Sequence, residues 1–287
     1  MTELTDAQSQ RGEQAHRRSV NMFETLQGNI LVTGANRGIG LELVAQLAQQ
    51  VGKDAHLFAC CREPEGSRAQ ALRDLSAQHP GKITTICLDL SDEESISAAV
   101  QAVSDQIGDG GLNLLINNAA INTPAKPAPL STTEKQHMME VYETNVVGPF
   151  LLAKKFLPLL QRAAESYTPE HDTGGKMSCR RSAIINMSTL ISSIQKCPEN
   201  FSYAQMYPYR TSKAALNMLT RCQAEDFKTH NILVVAIHPG WVRTDMGGDQ
   251  APLTTQDSVV SMLGLMSSLS DEDCGQLLDY QGSAIPW

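Results

Sequence analysis

The residue pair with the clearest capacity for chemistry in this 287-residue sequence is Tyr209 and Lys213, in the stretch MYPYRTSKAALN. Residues four apart lie on one face of a helix, so the lysine ammonium would lie beside the tyrosine ring. A tyrosine with a pKa of ~10 exchanges protons poorly near neutral pH, and a neighbouring positive charge lowers that pKa. Pro208 suits the first turn of a helix, whereas Tyr207 has only Thr211 four residues on. The spacing therefore predicts that Tyr209 donates a proton to an oxygen that gains negative charge.

The segments around this pair alternate between two kinds of pattern. Continuous apolar runs predict strands buried on both faces, and runs with helical spacing lie between them. The predicted strands read NILVTG, AHLFACC, ITTICLDL, LNLLINNAA, SAIINMST and ILVVAIHPG. We therefore predict the α/β class, with a single doubly wound (Rossmann) domain over residues 28–287 and a seven-stranded, mainly parallel sheet with helices on both faces. Two connections are predicted to be long loops, Ser166 to Arg181 and Ser192 to Met206.

A glycine-rich turn follows the first predicted strand, where ligands of such sheets bind. In TGANRGIGLELV, Gly34 allows a sharp turn, while Gly38 and Gly40 let the backbone approach a phosphate and let the helix pack on the strand. The free N–H groups and positive end of the following helix favour a pyrophosphate. The turn predicts a dinucleotide site that includes Gly34, Asn36, Arg37, Gly38, Ile39 and Gly40.

The end of the second predicted strand indicates which dinucleotide binds. An acidic residue there would hold the ribose 2′-hydroxyl of NAD, but the sequence reads CCREPEG, with Arg62 in that place. Arg37 lies inside the glycine turn, and two guanidinium groups can clasp a 2′-phosphate. Glu63 and Glu65 are expected beyond the contact position. These charges predict NADP(H) as the cofactor.

These motifs together are similar to those of a known family. The glycine spacing, NNAA after the fourth predicted strand and YRTSK around the tyrosine resemble the short-chain dehydrogenase/reductase family over residues 28–287. GANRGIGLELV, AIINMST, YRTSKAALN, HPGWVRTDMGG and the terminal IPW resemble its sniffer-type (C-factor-like) carbonyl reductases. The resemblance implies NADPH-dependent reduction of a carbonyl. Tyr209 would donate the proton, and Lys213 would lower the tyrosine pKa and bind the nicotinamide ribose.

The resemblance also implies roles for residues near other strand ends. Asp89 and Leu90 would contact the adenine, although an aspartate after a strand often only caps the next helix. Asn117 and Ala119 would lie along the cofactor, and Asn145 would hold a water that relays protons. The nicotinamide half would lie against four residues of HPGWVRT, namely Pro239, Gly240, Val242 and Thr244.

One position departs from the family pattern. The serine that normally holds the substrate carbonyl corresponds to Thr189 in AIINMSTLISSIQ. A threonine still offers a hydroxyl donor, but its methyl group restricts χ1 and crowds the site. Ser188 is the alternative, although adjacent strand residues point to opposite faces. We therefore predict a catalytic set of Tyr209, Lys213, Asn145 and Thr189, with Ser188 as the fallback for Thr189.

Composition argues against several other classes of function. The net charge of −8 disfavours nucleic-acid and anionic-membrane partners, and no apolar run approaches the ~20 residues of a membrane-spanning helix. The seven cysteines lack metal-ligand spacing, which predicts free thiols in a reducing compartment and no metal site. Residues 1–27 are polar and lack the apolar core of a secretory signal. We expect them to be a disordered extension and the protein to be cytoplasmic.

Two alternatives to carbonyl reduction stay open. The chain could bind NADP(H) as a redox sensor with little turnover, or it could oxidise an alcohol, since the same residues serve both directions. The substrate is predicted only as a small carbonyl compound, a moderately apolar aldehyde, ketone or quinone, because the loop from Ser192 to Met206 and the segment after Thr244 carry few charges. The apolar run VVGPFLLAKKFLPLL is compatible with a possible homodimer.

Overall fold

The computed structural model of the protein describes residues 26–50, 52, 55–124, 128–167 and 177–287. The extension predicted over residues 1–27 lies outside this part of the chain except for its last two residues. Of these two, Leu26 is buried against the core. Most of the long loop predicted from Ser166 to Arg181 also lies outside the described residues.

A seven-stranded sheet forms the centre of the described residues. Its strands are β1 (Asn29–Thr33), β2 (His56–Cys61), β3 (Ile83–Cys87), β4 (Leu114–Asn117), β5 (Ala183–Met187), β6 (Leu233–His238) and β7 (Leu277–Asp279). Neighbouring strands pair in parallel, in the order β3-β2-β1-β4-β5-β6-β7. The predicted doubly wound α/β fold is confirmed, and the sheet is wholly rather than mainly parallel. The strand β7 is too short for the apolar pattern of the sequence to mark it.

Helices connect these strands and cover both faces of the sheet. They are α1 (Gly38–Gln50), α2 (Gln70–Gln78), α3 (Glu93–Ile107), α4 (Lys135–Tyr142), α5 (Gly148–Ser166), α6 (Cys197–Asn200), α7 (Tyr207–Phe227) and α8 (Thr255–Met266). Buried apolar side chains of α1, α2 and α8 belong to one core cluster, and those of α3, α5 and α7 belong to the other. Helices on both faces keep the continuous apolar strands out of water, as the sequence pattern requires.

The central strand β1 determines where a ligand can bind. Its side chains alternate between the two clusters, with Ile30 and Val32 in one and Leu31 in the other. Because β1 pairs with β2 on one side and with β4 on the other, successive connections leave it in opposite directions. A crevice forms at the carboxyl ends of the strands at such a reversal, and this is the usual ligand site of a doubly wound sheet.

The helical segment before β5 is interrupted, whereas the sequence pattern predicts one continuous helix. Residues Glu143–Val147, between α4 and α5, form a π-helical turn. Position 149 is a proline, which has no N–H to donate back to the carbonyl of Asn145. Such turns are frequent at functional sites, and Asn145 is one of the predicted site residues.

Helix α7 buries a polar face as well as an apolar one. The buried polar side chains of this helix include Ser212, Lys213, Asn217, Thr220 and Gln223. Asn186 of β5 donates a hydrogen bond to the hydroxyl of Thr220 (2.9 Å), and Asn117 of β4 donates one to Asn186 (2.8 Å). The hydrophobic pattern does not predict this network, because its members come from separate strands and a distant helix.

The loop predicted from Ser192 to Met206 contains local structure. It includes α6 and a 3₁₀ turn at Phe201–Tyr203. Residues 286 and 287 hold the start of this loop. The Ser193 hydroxyl donates a hydrogen bond to the carbonyl of Pro286, and the Gln195 amide donates one to the carbonyl of Trp287 (3.0 Å).

Among the described helices, none combines the length and hydrophobicity needed to span a bilayer. Met139, Phe150 and Met218 lie exposed on α4, α5 and α7. The possible homodimer and the cytoplasmic location stay predictions.

Candidate active site

A cavity of about 890 Å³ opens at the carboxyl ends of the central strands. Both residues of the predicted proton-transfer pair, Tyr209 and Lys213, line this cavity, as does Ser188. The residues predicted for the cofactor that also line it are Gly34, Asn36, Arg37, Gly38, Ile39, Gly40, Arg62, Asp89, Leu90, Ala119, Pro239 and Thr244. The fold therefore gathers chain segments that are far apart in sequence around one space.

The remaining predicted residues, Asn117, Asn145, Thr189, Gly240 and Val242, are not among the described residues that line the cavity. Gly240 and Val242 each adjoin a lining residue in sequence, and both lie against Leu253. A Cβ added at Gly240, where φ is +85°, would lie 2.4 Å from the side chain of Leu253. Val242 is buried and forms a β-bridge with the same leucine. Asn117 is buried within the hydrogen-bond network of the sheet.

The glycine turn closes as tightly as its sequence predicts. A Cβ added at Gly40 would lie 2.1 Å from the carbonyl oxygen of Gly34 and 2.6 Å from the side-chain amide of Asn118. That amide donates a 2.8 Å hydrogen bond to the carbonyl of Thr33, which fixes the end of β1. The first residues of α1 line the cavity, so the free N–H groups of its first turn are available to a phosphate. The turn thus fits the pyrophosphate of a dinucleotide.

The tyrosine and the lysine lie in the first two turns of α7. The helix begins at Tyr207 with Pro208 in its first turn, so Tyr209 is close to the strand ends. Lys213 is 2% exposed, and its Nζ donates a 2.6 Å hydrogen bond to the carbonyl of Met187, the last residue of β5. The same Nζ lies 5.9 Å from the centre of the Tyr209 ring. Lys213 therefore attaches the start of α7 to the end of β5.

Burial dominates the pKa values of both groups. It raises the pKa of Tyr209 to about 12 and lowers the pKa of Lys213 to about 7. The prediction that Lys213 lowers the tyrosine pKa is wrong for the protein by itself. The reason is that the ammonium has lost its own solvation and is only partly protonated near neutral pH. A negative ligand charge beside Lys213 would favour the ammonium and raise its pKa again.

The two candidate hydroxyls at the end of β5 differ in what they already bind. The Ser188 Oγ donates a 2.5 Å hydrogen bond to Oδ1 of Asn217, inside the protein. The Thr189 Oγ1 accepts a long 3.4 Å hydrogen bond from the amide of Ile191. Within the described part of the chain no acceptor takes the Thr189 proton. That hydroxyl therefore keeps a donor for another oxygen, whereas Ser188 is the one of the two that lines the cavity.

The side chain of Asn145 is fully used in holding the cavity wall. Its Oδ1 accepts from the amide of Ile121 (2.9 Å), and its Nδ2 donates to the carbonyl of Ile121 (2.9 Å) and to the hydroxyl of Ser212 (3.1 Å). These bonds join the π-helical turn to α7 and to the segment after β4. Both hydrogens of the Asn145 side-chain amide are therefore donated within the protein.

Three arginines line the end of the cavity beyond β2. Arg37 forms an ion pair with Asp245, and both side chains are largely exposed. Arg62 follows β2, as the sequence analysis predicts. Arg68 also lines the cavity, and its carbonyl accepts a hydrogen bond from Asn36 (3.4 Å). Arg68 is not predicted from the sequence, where its single signal is its place in the loop that leads from β2 to α2.

Acidic residues also line the cavity, namely Glu42, Glu63, Asp89 and Asp245. Glu63 is part of the wall, and its place beyond the cofactor contact stays a prediction. Its carboxylate turns back along the chain, because a Cβ added at Gly66 would lie 3.1 Å from the Glu63 Oε2. The three guanidinium groups share this cavity with the carboxylates of Glu63 and Asp245.

Asp89 is not the cap of the following helix. The cap of α3 is Asp92, whose carboxylate accepts from the amide of Glu94 (2.9 Å). The Asp89 carboxylate instead accepts from the amide and the hydroxyl of Ser91, at 3.0 and 2.7 Å, and Asp89 lines the cavity. The alternative interpretation of Asp89 as a helix cap is therefore wrong.

Comparison with known proteins agrees with this geometry. Residues 28–253 match the family model described as short chain dehydrogenase. A relative from Penicillium roqueforti (strain FM164), the Short-chain dehydrogenase anuI, is 31% identical over 262 residues, which cover 89% of this chain and 95% of the relative.

Solved carbonyl reductases have the same fold. The NADPH-bound carbonyl reductase from chicken fatty liver is 43% identical with a TM-score of 0.84, covering 94% of this chain and 98% of its own. The carbonyl reductase Sniffer of D. melanogaster is 36% identical with a TM-score of 0.81, covering 91% of this chain and all of its own. The resemblance to sniffer-type carbonyl reductases that the motifs predict is confirmed.

The lowered pKa of the buried Lys213 predicts a stability that depends on pH. Because the pKa of Lys213 is about 7 when folded and ordinary when unfolded, the unfolded chain binds the extra proton between about pH 7 and 10.5. Burial of Lys213 therefore costs stability fully below pH 7, and the cost disappears as the pH rises through that window. We expect the stability of Lys213→Met relative to wild type to be highest at pH 6 and to fall by about 1.4 kcal/mol per pH unit above pH 7.

Urea unfolding of both proteins at pH 6, 7.5 and 9 measures this difference. Lys228→Met, which changes an exposed lysine just beyond the same helix, is the control and should show no such slope. A difference between Lys213→Met and wild type that stays constant with pH would contradict the assignment.

Proposed function

Because the chain belongs to the short-chain dehydrogenase family, we propose that it reduces a carbonyl group to an alcohol with NADPH and that Tyr209 donates the proton. The observation that carries this proposal is the Tyr209–Lys213 pair, fixed to the end of β5 and facing the same cavity as the glycine turn. Two solved proteins similar over nearly the whole chain are carbonyl reductases, one of them with NADPH bound.

The residues of the cavity suit the charges of this cofactor. NADPH supplies a hydride when it is bound. The first turn of α1 would hold its pyrophosphate, and Arg37, Arg62 and Arg68 would hold its 2′-phosphate through charge-assisted hydrogen bonds. The ion pair of Arg37 with Asp245 is exposed and therefore weak, so Arg37 can exchange that carboxylate for a phosphate at little cost.

The electrostatics of the cavity wall explain how Tyr209 would supply the proton. With its raised pKa, Tyr209 is fully protonated near neutral pH and holds the proton that a new alkoxide needs. Anionic charge in the cavity would restore the Lys213 ammonium, which then favours the tyrosinate left after transfer. The Thr189 hydroxyl would donate a hydrogen bond to the substrate oxygen. A water on the carbonyl of Asn145 would return a proton toward the lysine and the tyrosine.

Replacing the proton donor tests the reaction directly. Tyr209→Phe should lower kcat for NADPH-dependent carbonyl reduction by about 10²–10⁴-fold, because it removes the acid, while NADPH binding is retained. Loss of NADPH absorbance over a panel of aldehydes, ketones and quinones measures this rate. Tyr207→Phe changes a neighbouring tyrosine that does not line the cavity and should keep its activity. Full activity in Tyr209→Phe would falsify the role of this residue.

The hydroxyl at the end of β5 is tested by a matched pair of variants. Thr189→Val keeps the shape of the side chain but removes its donor, and kcat should fall by about 10²-fold. Thr189→Ser keeps the donor and should stay within about threefold of the wild type. If Thr189→Val is as active as Thr189→Ser, the substrate oxygen is held elsewhere, with Ser188 as the next candidate.

Preference for NADPH over NADH should depend on the arginines. The double variant Arg37→Ala/Arg62→Ala loses charge-assisted hydrogen bonds to the 2′-phosphate, so KM for NADPH should rise by about 10- to 100-fold while KM for NADH changes little. Arg221→Ala, on α7 away from the cavity, is the control. Equal wild-type rates with both cofactors, or parallel changes in both KM values, would contradict the proposed 2′-phosphate site.

The same panel separates this proposal from its alternatives. A redox sensor would bind NADPH without oxidising it in the presence of any carbonyl compound. An alcohol dehydrogenase would turn over faster with NADP and alcohols than with NADPH and carbonyls. The wall of the cavity contributes Ile121, Met187 and Met246, which favours a moderately apolar carbonyl substrate.

A further inference from the structure

Two thiols lie side by side on neighbouring strands at the cofactor end of the sheet. Cys61 ends β2 and Cys87 ends β3, and the two residues are direct partners in the parallel register. Neighbouring strands are about 4.8 Å apart. That spacing falls within the range of about 4.4–6.8 Å that the Cα atoms of a disulfide require.

Both side chains lie on the same face of the sheet. Cys61 packs in the core cluster that contains Ile83 of β3, whereas Cys60 and Ile86 pack in the cluster on the opposite face. Side chains alternate along a strand, so Cys87, four residues after Ile83, points to the same side as Ile83. The two thiols therefore face each other across adjacent strands. Burial, and after it the neighbouring Cys87 thiol, raises the pKa of Cys61.

The two thiols differ in access. Cys87 is exposed, and its Sγ donates a hydrogen bond to the carbonyl of Arg62 at 3.2 Å. Cys61 is 4% exposed and lines the cavity, and burial is the main cause that raises its pKa. An oxidant in solution reaches Cys87 first, and Cys61 is placed to attack the sulfur that has been oxidised.

We propose that Cys61 and Cys87 form a reversible disulfide in response to a hydroperoxide and that this bond weakens NADPH binding. The Cys87 thiolate attacks the peroxide, the O–O bond breaks, and Cys87 sulfenic acid forms with release of one alcohol or water. The Cys61 thiol then attacks the Cys87 sulfur, an S–S bond forms, the S–O bond breaks, and the hydroxide leaves as water with the Cys61 proton. Two thiols and one hydroperoxide thus give one disulfide, one alcohol or water and one water.

The effect on the cofactor follows from the neighbours of the two sulfurs. Closing the bond pulls the Cys61 side chain out of its place in the cavity wall. It also removes the Cys87 hydrogen bond that holds the carbonyl of Arg62. Arg62 is one of the arginines proposed for the 2′-phosphate, so this second half of the inference rests on the proposed function.

The geometry also makes the bond reversible. Cβ atoms of parallel neighbours are farther apart than an unstrained disulfide prefers, and strained disulfides are readily reduced.

The bond is tested by treating the full chain, free of cofactor, with hydrogen peroxide and mapping its disulfides by mass spectrometry. We expect a peptide pair linked through Cys61 and Cys87 that disappears with dithiothreitol. Cys87→Ser should lack it, and Cys222→Ser, which removes an exposed thiol on α7, should form it normally. Bound NADPH should slow its formation, since Cys61 lines the cavity. Absence of the linked pair in the wild type overturns the inference.

Binding measurements on the same samples test the consequence. Titration calorimetry with NADPH should give a Kd about tenfold or more weaker for oxidised than for reduced wild type, which corresponds to ~1.4 kcal/mol. The ratio of oxidised to reduced Kd should be close to one in Cys87→Ser. A linked pair that leaves the Kd unchanged would also overturn the inference. Failure of the reduced wild type to bind NADPH would instead overturn the proposed function, because mapping of the linked pair does not depend on the cofactor.

Discussion

A buried ammonium group joins the chemistry of this protein to its fold. Lys213 is almost wholly enclosed, and its hydrogen bond to the carbonyl of Met187 ties α7 to the last residue of β5. That bond places Tyr209 of α7 and Ser188, which follows β5, on the wall of one cavity. Burial lowers the pKa of Lys213 to about 7, so the ammonium is only partly protonated near neutral pH. A negative charge bound beside Lys213 would favour the ammonium.

The surroundings of the lysine are polar where an ordinary helix–sheet contact would be apolar. Asn117, Asn186 and Thr220 form a chain of hydrogen bonds through the core, and Asn217 takes the hydroxyl of Ser188. Buried polar groups are tolerable only when they are satisfied, and a satisfied network permits few alternative arrangements. The network therefore fixes the position of α7 and leaves Thr189, rather than Ser188, with a hydroxyl proton to offer a substrate.

Several features of the site could be read from local sequence, and others could not. The i, i+4 spacing of Tyr209 and Lys213 and the glycine turn are local, so the sequence predicted where they lie. The pKa of the tyrosine was predicted wrongly, because it depends on how much water the folded cavity excludes. Glu63 and Arg68 line the cavity through the path of the loop after β2, which no periodicity encodes.

By itself, the sequence determined the doubly wound fold, the place of the glycine turn, the pairing of tyrosine with lysine and the resemblance to carbonyl reductases. These follow from hydrophobic periodicity and from residues close together in the chain, which act over one or two turns. Three features were decided only by the tertiary structure. One is which hydroxyl at the end of β5 has no acceptor for its proton. The others are the hydrogen bonds of the Asn145 side chain to Ile121 and Ser212 and the position of Cys61 beside Cys87. Each of these depends on groups far apart in sequence meeting at contact distance, and contacts of that kind are set by packing and strand register.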